Sequence, residues 1–137
     1  MRVDHQTETQ ANVEVVHQFF DSMWNRGDLA IAEQILGVNH VHHLGQRELN
    51  GPEAVKGLVR SLPATFPDLK LAVEDKLVCG DKVVVRYTAT GTQRGPLGDI
   101  AATDRSARWG DIDIIRIESG RIVELWARPM VWDCEGN

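Results

Sequence analysis

The sequence predicts an α+β fold in which helices come first and one curved antiparallel sheet is cupped around them. Apolar residues recur at three- and four-residue steps before Pro63, the mark of helices with one buried face. After Pro67 the period changes to the alternation of a strand. The run Ser106–Glu118, then Ser119-Gly120, then Arg121–Arg128 has β-branched and aromatic residues in both arms and turn residues between them, so it predicts a long hairpin.

From about Thr7, Val13, Val16, Phe20, Met23 and Trp24 fall on one helical face, and Gly27 stops the helix. Asp28 is placed to cap a short second helix, Leu29–Leu36, ended by Gly37. The Arg26-Gly27-Asp28 tripeptide between them is read as a turn, although it is also a cell-adhesion sequence. Val38–Gly45 is too short for a helix and is expected to run to the mouth of whatever the helices enclose. Gly51-Pro52-Glu53 starts a third helix through Val55, Leu58, Val59 and Leu62, with Pro63 tightening its last turns and Phe66-Pro67-Asp68 closing it. Leu69, Leu71 and Val73 line one face of a strand running to Leu77, and Gly80-Asp81 turns the chain into a second strand, Lys82–Thr92. With the hairpin, this makes a four-strand meander. Gly91–Gly98 lacks a following helix, so it is no phosphate cradle; a flap over the cavity mouth is the expectation. The tail from Pro129 holds Trp132, placed to cover an edge.

At 137 residues the chain suits a single domain, 1–137, with residues 1–8 as a disordered tail. A net charge of −5 argues against a nucleic-acid partner, which asks for a basic patch. No apolar run reaches the roughly 20 residues of a membrane helix, and the N-terminus lacks the apolar core of a signal peptide. Two cysteines, Cys79 and Cys134, make neither a disulfide framework nor a zinc motif, so the expected location is the cytoplasm and the expected thiol a buried structural one.

Phe19-Phe20, Trp24-Asn25-Arg26-Gly27-Asp28-Leu29, a histidine near position 43, Gly51, Phe66-Pro67-Asp68-Leu69, Gly80-Asp81-Lys82-Val83, Thr88-Ala89-Thr90-Gly91-Thr92, Gly95-Pro96 and Gly120–Trp126 follow one another in the order of a known family. The chain resembles the SnoaL-like polyketide cyclases, of the nuclear transport factor 2-like cone fold. The resemblance implies a cone-shaped α+β barrel with a hydrophobic cavity between helices and sheet. It implies dimers or larger homo-oligomers built through the sheet, with a dimer expected. It also implies cofactor-free chemistry on polycyclic aromatic polyketides, the cyclases closing a ring by an intramolecular aldol step. Their histidine falls at Asp113 and their acidic residue at Ala127. Alanine cannot move a proton, so the resemblance points rather to the family's hydroxylase-type branch in anthracycline biosynthesis.

Trp109, Asp111, Asp113, Ile115 and Ile117 share one face of the hairpin's first arm; Arg108, Ile112, Ile114 and Arg116 share the other. Both faces carry apolar residues, which suits a sheet covered by helices on one side and a partner on the other. Asp111 and Asp113 side by side would raise one carboxyl and leave a base near neutrality, against the plainer reading that they pair with Arg86 or Arg108 and meet water. Asp113, Asp111 and His43 are therefore the catalytic candidates, His43 by resemblance as a hydrogen-bonding residue at the cavity rim. Phe20, Trp24 and Trp109 offer flat walls for an aromatic ligand, with core packing the alternative, and Ile115 and Ala127 join them. Trp126, of opposite parity to Ala127, is expected at a subunit interface. Arg86, mid-strand, is read as buried and in need of a carboxylate, an internal ion pair being favoured over a substrate contact. His40, His42 and His43 have poor spacing for a metal on one strand face, so no metal is expected. The leading expectation is a cofactor-independent hydroxylase of aromatic polyketides. An aldol cyclase and a non-catalytic ligand-binding or assembly protein on the same fold are the alternatives.

Overall fold

The change of period from helical to alternating sets the order of elements. The computed structural model describes the backbone of residues 5–134 and the side chains of 8–127. The first helix, α1 (His5–His17), runs directly into a π-helical stretch, Gln18–Asn25, so residues 5–8 belong to the helix rather than to a tail. A π turn is wider than an α turn. Here it lets the neighbours Phe19 and Phe20, together with Met23, all be buried, while Trp24 packs against the same core. The two phenylalanine rings meet edge to face at 5.2 Å. Gly27 ends the helix at φ +69°, as its position predicts.

The next segment is shorter than expected: a 3₁₀ turn, Leu29–Ile31, and α2 (Ala32–Ile35), with no side-chain cap bond from Asp28. Gly37 is not a stop. It lies inside β1 (Leu36–Leu44), where an added Cβ would stand 3.1 Å from the side chain of Val123. β1 turns at Gly45 (φ +59°) into β2 (Arg47–Asn50), so a strand pair stands where the periodicity shows no element. α3 (Pro52–Thr65) follows with proline at its first position and Pro63 inside its last turn.

β3 (Lys70–Cys79), β4 (Lys82–Thr92), β5 (Ser106–Glu118) and β6 (Arg121–Cys134) form the expected meander, with a register shift in β3 between Val73 and Asp75. β6 extends past Arg128, and the Trp132 backbone pairs with Trp109; the side chains of Trp132 and Cys134 lie outside the described residues. The sheet has six strands rather than four, in the order β2-β1-β6-β5-β4-β3. β1 runs parallel to β6, and every other neighbouring pair is antiparallel. α1 and α3 cover one face of this open, curved sheet, and the core between them includes Val16, Phe19, Met23, Val55, Val59, Val83, Val85, Ile115, Ile122 and Leu125. Cys79 is exposed at the end of edge strand β3, not buried, because β3 leaves only Leu71 inside.

The β4–β5 connection is held down. The backbone amides of Arg94 and Gly95 both donate to the Thr65 carbonyl, at 2.8 and 3.1 Å, and the Thr65 hydroxyl donates to the Pro96 carbonyl at 2.8 Å. Gln93 is buried and its amide group donates to the carbonyls of Gly95 and Ala101. A Cβ at position 95 would run into the Ala64 carbonyl, so glycine is what lets the loop lie on α3. The expected flap over the cavity is instead a clip on the end of α3, and Gly91 belongs to β4.

Candidate functional site

Strand alternation aims the inner residues of β5 at the helices. Asp111 and Asp113 are both buried, at 5% and 3% exposure, with Trp109 half-buried beside them. Register decides what each meets. Asp111 lies opposite Tyr87 of β4, whose hydroxyl donates to its Oδ2 at 3.0 Å. Asp113 lies opposite Val85 on one side and Ala127 on the other, so no cross-strand neighbour offers a donor. Its Oδ1 is buried with no hydrogen-bond partner. Burial first, then the charge of Asp111, then a hydrogen bond between the two side chains, hold the Asp113 carboxyl well above the usual carboxylate range. The two carboxyls therefore titrate as one coupled pair, with Asp113 the member harder to ionise. Burial and the same carboxylates push the Tyr87 phenol far up, so it stays neutral.

β1 adds an imidazole. His42, 3% exposed, points inward beside Phe19 at 6.4 Å between ring centres. Burial, then the nearby His40 and His43, lower its pKa to about 3, so it is neutral. His40, fully buried, places Nδ1 3.1 Å from the Ile122 carbonyl and Nε2 3.2 Å from Nδ1 of His42.

These groups surround a cavity of about 130 Å³. Its helical wall is Phe19, Phe20 and Trp24 from the π stretch and Leu58 and Leu62 from α3; the sheet supplies His42, Leu44, Tyr87, Trp109, Asp111, Asp113 and Ala127. An engineered apolar cavity of about 150 Å³ holds benzene, while pockets for drug-sized ligands span roughly 300–1,000 Å³. In this form the site encloses one ring, not the four of an anthracycline.

Of the residues singled out from the sequence, Phe20, Trp24, Trp109, Asp111, Asp113 and Ala127 lie together around this cavity. Three do not. Ile115, of the correct parity, is sealed in the core and is not among the lining residues. Arg86 is exposed on the outer face, since it alternates with the buried Val85, so neither it nor the equally outward Arg108 pairs with the aspartates. His43 also faces outward: its Nε2 meets Glu124 Oε2 at 2.7 Å and its ring stacks on Trp126 at 5.4 Å. The imidazole in the cavity is His42. Sequence reasoning misses Tyr87, Leu58 and Leu62 as lining residues. Tyr87 shares the parity of Val83 and Val85 on β4, and both leucines lie on the apolar stripe of α3, so a signal for each is present in the sequence. Among the described residues no group of His, Cys, Asp and Glu is placed to hold a metal ion, and no helix is long and apolar enough to cross a membrane.

The family model for SnoaL-like polyketide cyclases matches residues 14–129. The chain belongs to that family. Among solved structures, TsrD from Streptomyces laurentii is 30% identical with a TM-score of 0.79, over 93% of this chain and 91% of its own. AclR from Streptomyces galilaeus, a proposed hydroxylase, is 26% identical at a TM-score of 0.75, over 87% and 74%. A proposed SnoaL-like polyketide cyclase from Jannaschia sp. CCS1 shares the fold at a TM-score of 0.81 and 24% identity, over 88% and 85%. No curated protein matches the chain. For a SnoaL-like protein, the two positions at which the resemblance sets the cyclases' histidine and acid are cross-strand partners here, Asp113 opposite Ala127, and both line the cavity.

Proposed function

We propose that this SnoaL-like protein is an acid–base enzyme of polyketide-type carbonyl compounds, closing a ring by an intramolecular aldol step with its own carboxyls as the proton carriers. The observation that carries the reading is the buried Asp111–Asp113 pair on the cavity wall, with Asp113 Oδ1 unpartnered. An aldol closure needs a base for the proton beside one carbonyl and a donor for the oxygen of the other. Asp113 Oδ1 is the oxygen open to the substrate and fits the first role, and the proton held between Asp113 and Asp111 supplies the second. Two carboxyls pushed apart in this way divide acid from base on one strand. The residue the cyclases would place at 127 is thus replaced from the facing strand.

Hydroxylation is the second reading, favoured by the 26% identity to AclR. It starts from the same proton removal; the ring then takes one oxygen atom of dioxygen while the other leaves as water, with two electrons from an added thiol reductant. Both belong to one experiment: mass spectrometry of an anthracycline-type intermediate incubated with the pure protein and a thiol reductant, in air and under nitrogen. An isomer of equal mass, or one lighter by water, in both gases and lost in Asp113→Asn is the expected result. Gain of oxygen in air alone establishes the hydroxylase instead, and binding without turnover leaves a binding protein. The reading includes a second copy of the chain over the outer groove lined by His43, Ile112, Ile114 and Trp126. Sedimentation as a monomer at all concentrations would remove that part.

A further inference from the structure

The proton positions along β1 follow from a chain of partners. The Ile122 carbonyl can only accept, so the His40 Nδ1 that meets it at 3.1 Å carries a proton. His40 is fully buried and no carboxylate touches its ring, so it is neutral and its Nε2 is bare. A bare Nε2 at 3.2 Å requires a proton on Nδ1 of His42. His42 is itself buried, and its ring lines the cavity. Its Nε2 is then an unprotonated acceptor with no partner among the described residues. A backbone carbonyl on the neighbouring strand thus dictates, through His40, what β1 offers the cavity: an acceptor at Nε2 of His42. The volume, about 130 Å³, admits one ring.

We infer that the cavity takes a single hydroxylated aromatic ring, the hydroxyl donating to Nε2 of His42. A larger substrate would insert that ring and leave the remainder outside. His42 is then a specificity residue, selecting phenolic or enolic rings over rings without a donor. This goes beyond the acid–base reading and stands apart from it.

The test uses the wild-type chain and one-ring probes: the three hydroxyacetophenones and their fluoro analogues, similar in size but unable to donate. Binding is followed by titration calorimetry and ¹⁵N NMR of labelled histidine. Expected are a bare Nε2 and protonated Nδ1 for His42 in the free protein, a hydroxyl isomer bound about tenfold more tightly than its fluoro counterpart, and a shift of the His42 Nε2 resonance with that isomer only. In His42→Phe the preference for hydroxyl should vanish; the NMR on wild type decides the matter if that variant does not fold. A protonated Nε2 in the free protein, no preference for any hydroxyl isomer, or no binding of any probe each overturns the inference. If the preference is absent yet Asp113→Asn abolishes turnover, the inference fails and the acid–base reading stands. A clear preference with unchanged turnover in Asp113→Asn does the opposite: the inference holds and the acid–base reading falls.

Discussion

Replacing Asp113 with asparagine should make the protein more stable as the pH rises, relative to wild type. The native state holds a proton on Asp113 because the carboxyl is buried at 3% exposure, faces Val85 and Ala127, and lies beside the charged Asp111. The unfolded chain releases that proton above about pH 4. Unfolding above pH 4 is therefore accompanied by proton release, and stability falls with pH through this group. The slope is about 1.4 kcal/mol per pH unit from the unfolded value up to the native one. Asparagine has the same shape and no proton to lose, so the variant lacks this slope. With a urea m-value of about 2 kcal/mol/M, the midpoint of the variant should gain about 0.7 M on wild type for each unit in that interval. His40 and His42 titrate in both proteins and cancel in the difference. Urea titrations at steps from pH 4 to 8, followed by tryptophan fluorescence, read the quantity directly. Two curves that stay parallel over that range would refute a protonated Asp113, and with it the division of acid from base on β5.

His42→Phe should flatten the acid limb, because His42 is held neutral with a pKa of about 3 against an ordinary 6.5. The unfolded chain takes up a proton below 6.5 and the native one does not, so wild type should lose about 3 kcal/mol over the two units below that value through this group; equal acid sensitivity of the two proteins in chemical denaturation would show a charged His42. Gly95→Ala drives a methyl into the Ala64 carbonyl and should cost about 1–3 kcal/mol, seen as a lower Tm, with the loop freed from Thr65; an unchanged Tm would mean that the clip does not hold. Arg86→Ala, on the exposed outer face, should shift stability by less than about 0.5 kcal/mol and leave turnover as it is. Lost turnover would return Arg86 to the site.

The meander, the hairpin register and the inward aspartates are legible because a strand buried on one face writes its parity into the sequence. Trp109, Asp111 and Asp113 need nothing more. The sequence points to His43 where the fold uses His42, because Val38–Gly45 does not declare itself a strand. Its alternation is blurred by histidines on both faces and by the exposed Val38, which is 81% accessible. Which of two adjacent residues points inward then depends on pairing with β6, some 80 residues away, and no local pattern carries that. Arg86 differs: its parity with Val85 is available in the sequence, and it places the charge outward rather than buried between apolar neighbours. The shortened second helix shows tertiary pairing winning over a local cap signal, since Gly37 is needed where β1 passes close to Val123.

The parallel seam between β1 and β6 also bears on when the protein becomes functional. His42 pairs with Leu125 and Leu44 with Ala127, so one wall of the cavity cannot close until the chain has been made through β6. The meander can form from neighbouring segments, whereas this seam must overcome the entropy of a long closure. On the ribosome, the helices and β1 emerge early and wait with an unpaired strand edge. A site built across such a seam is absent from every partial chain, so ligand binding and the completion of folding coincide.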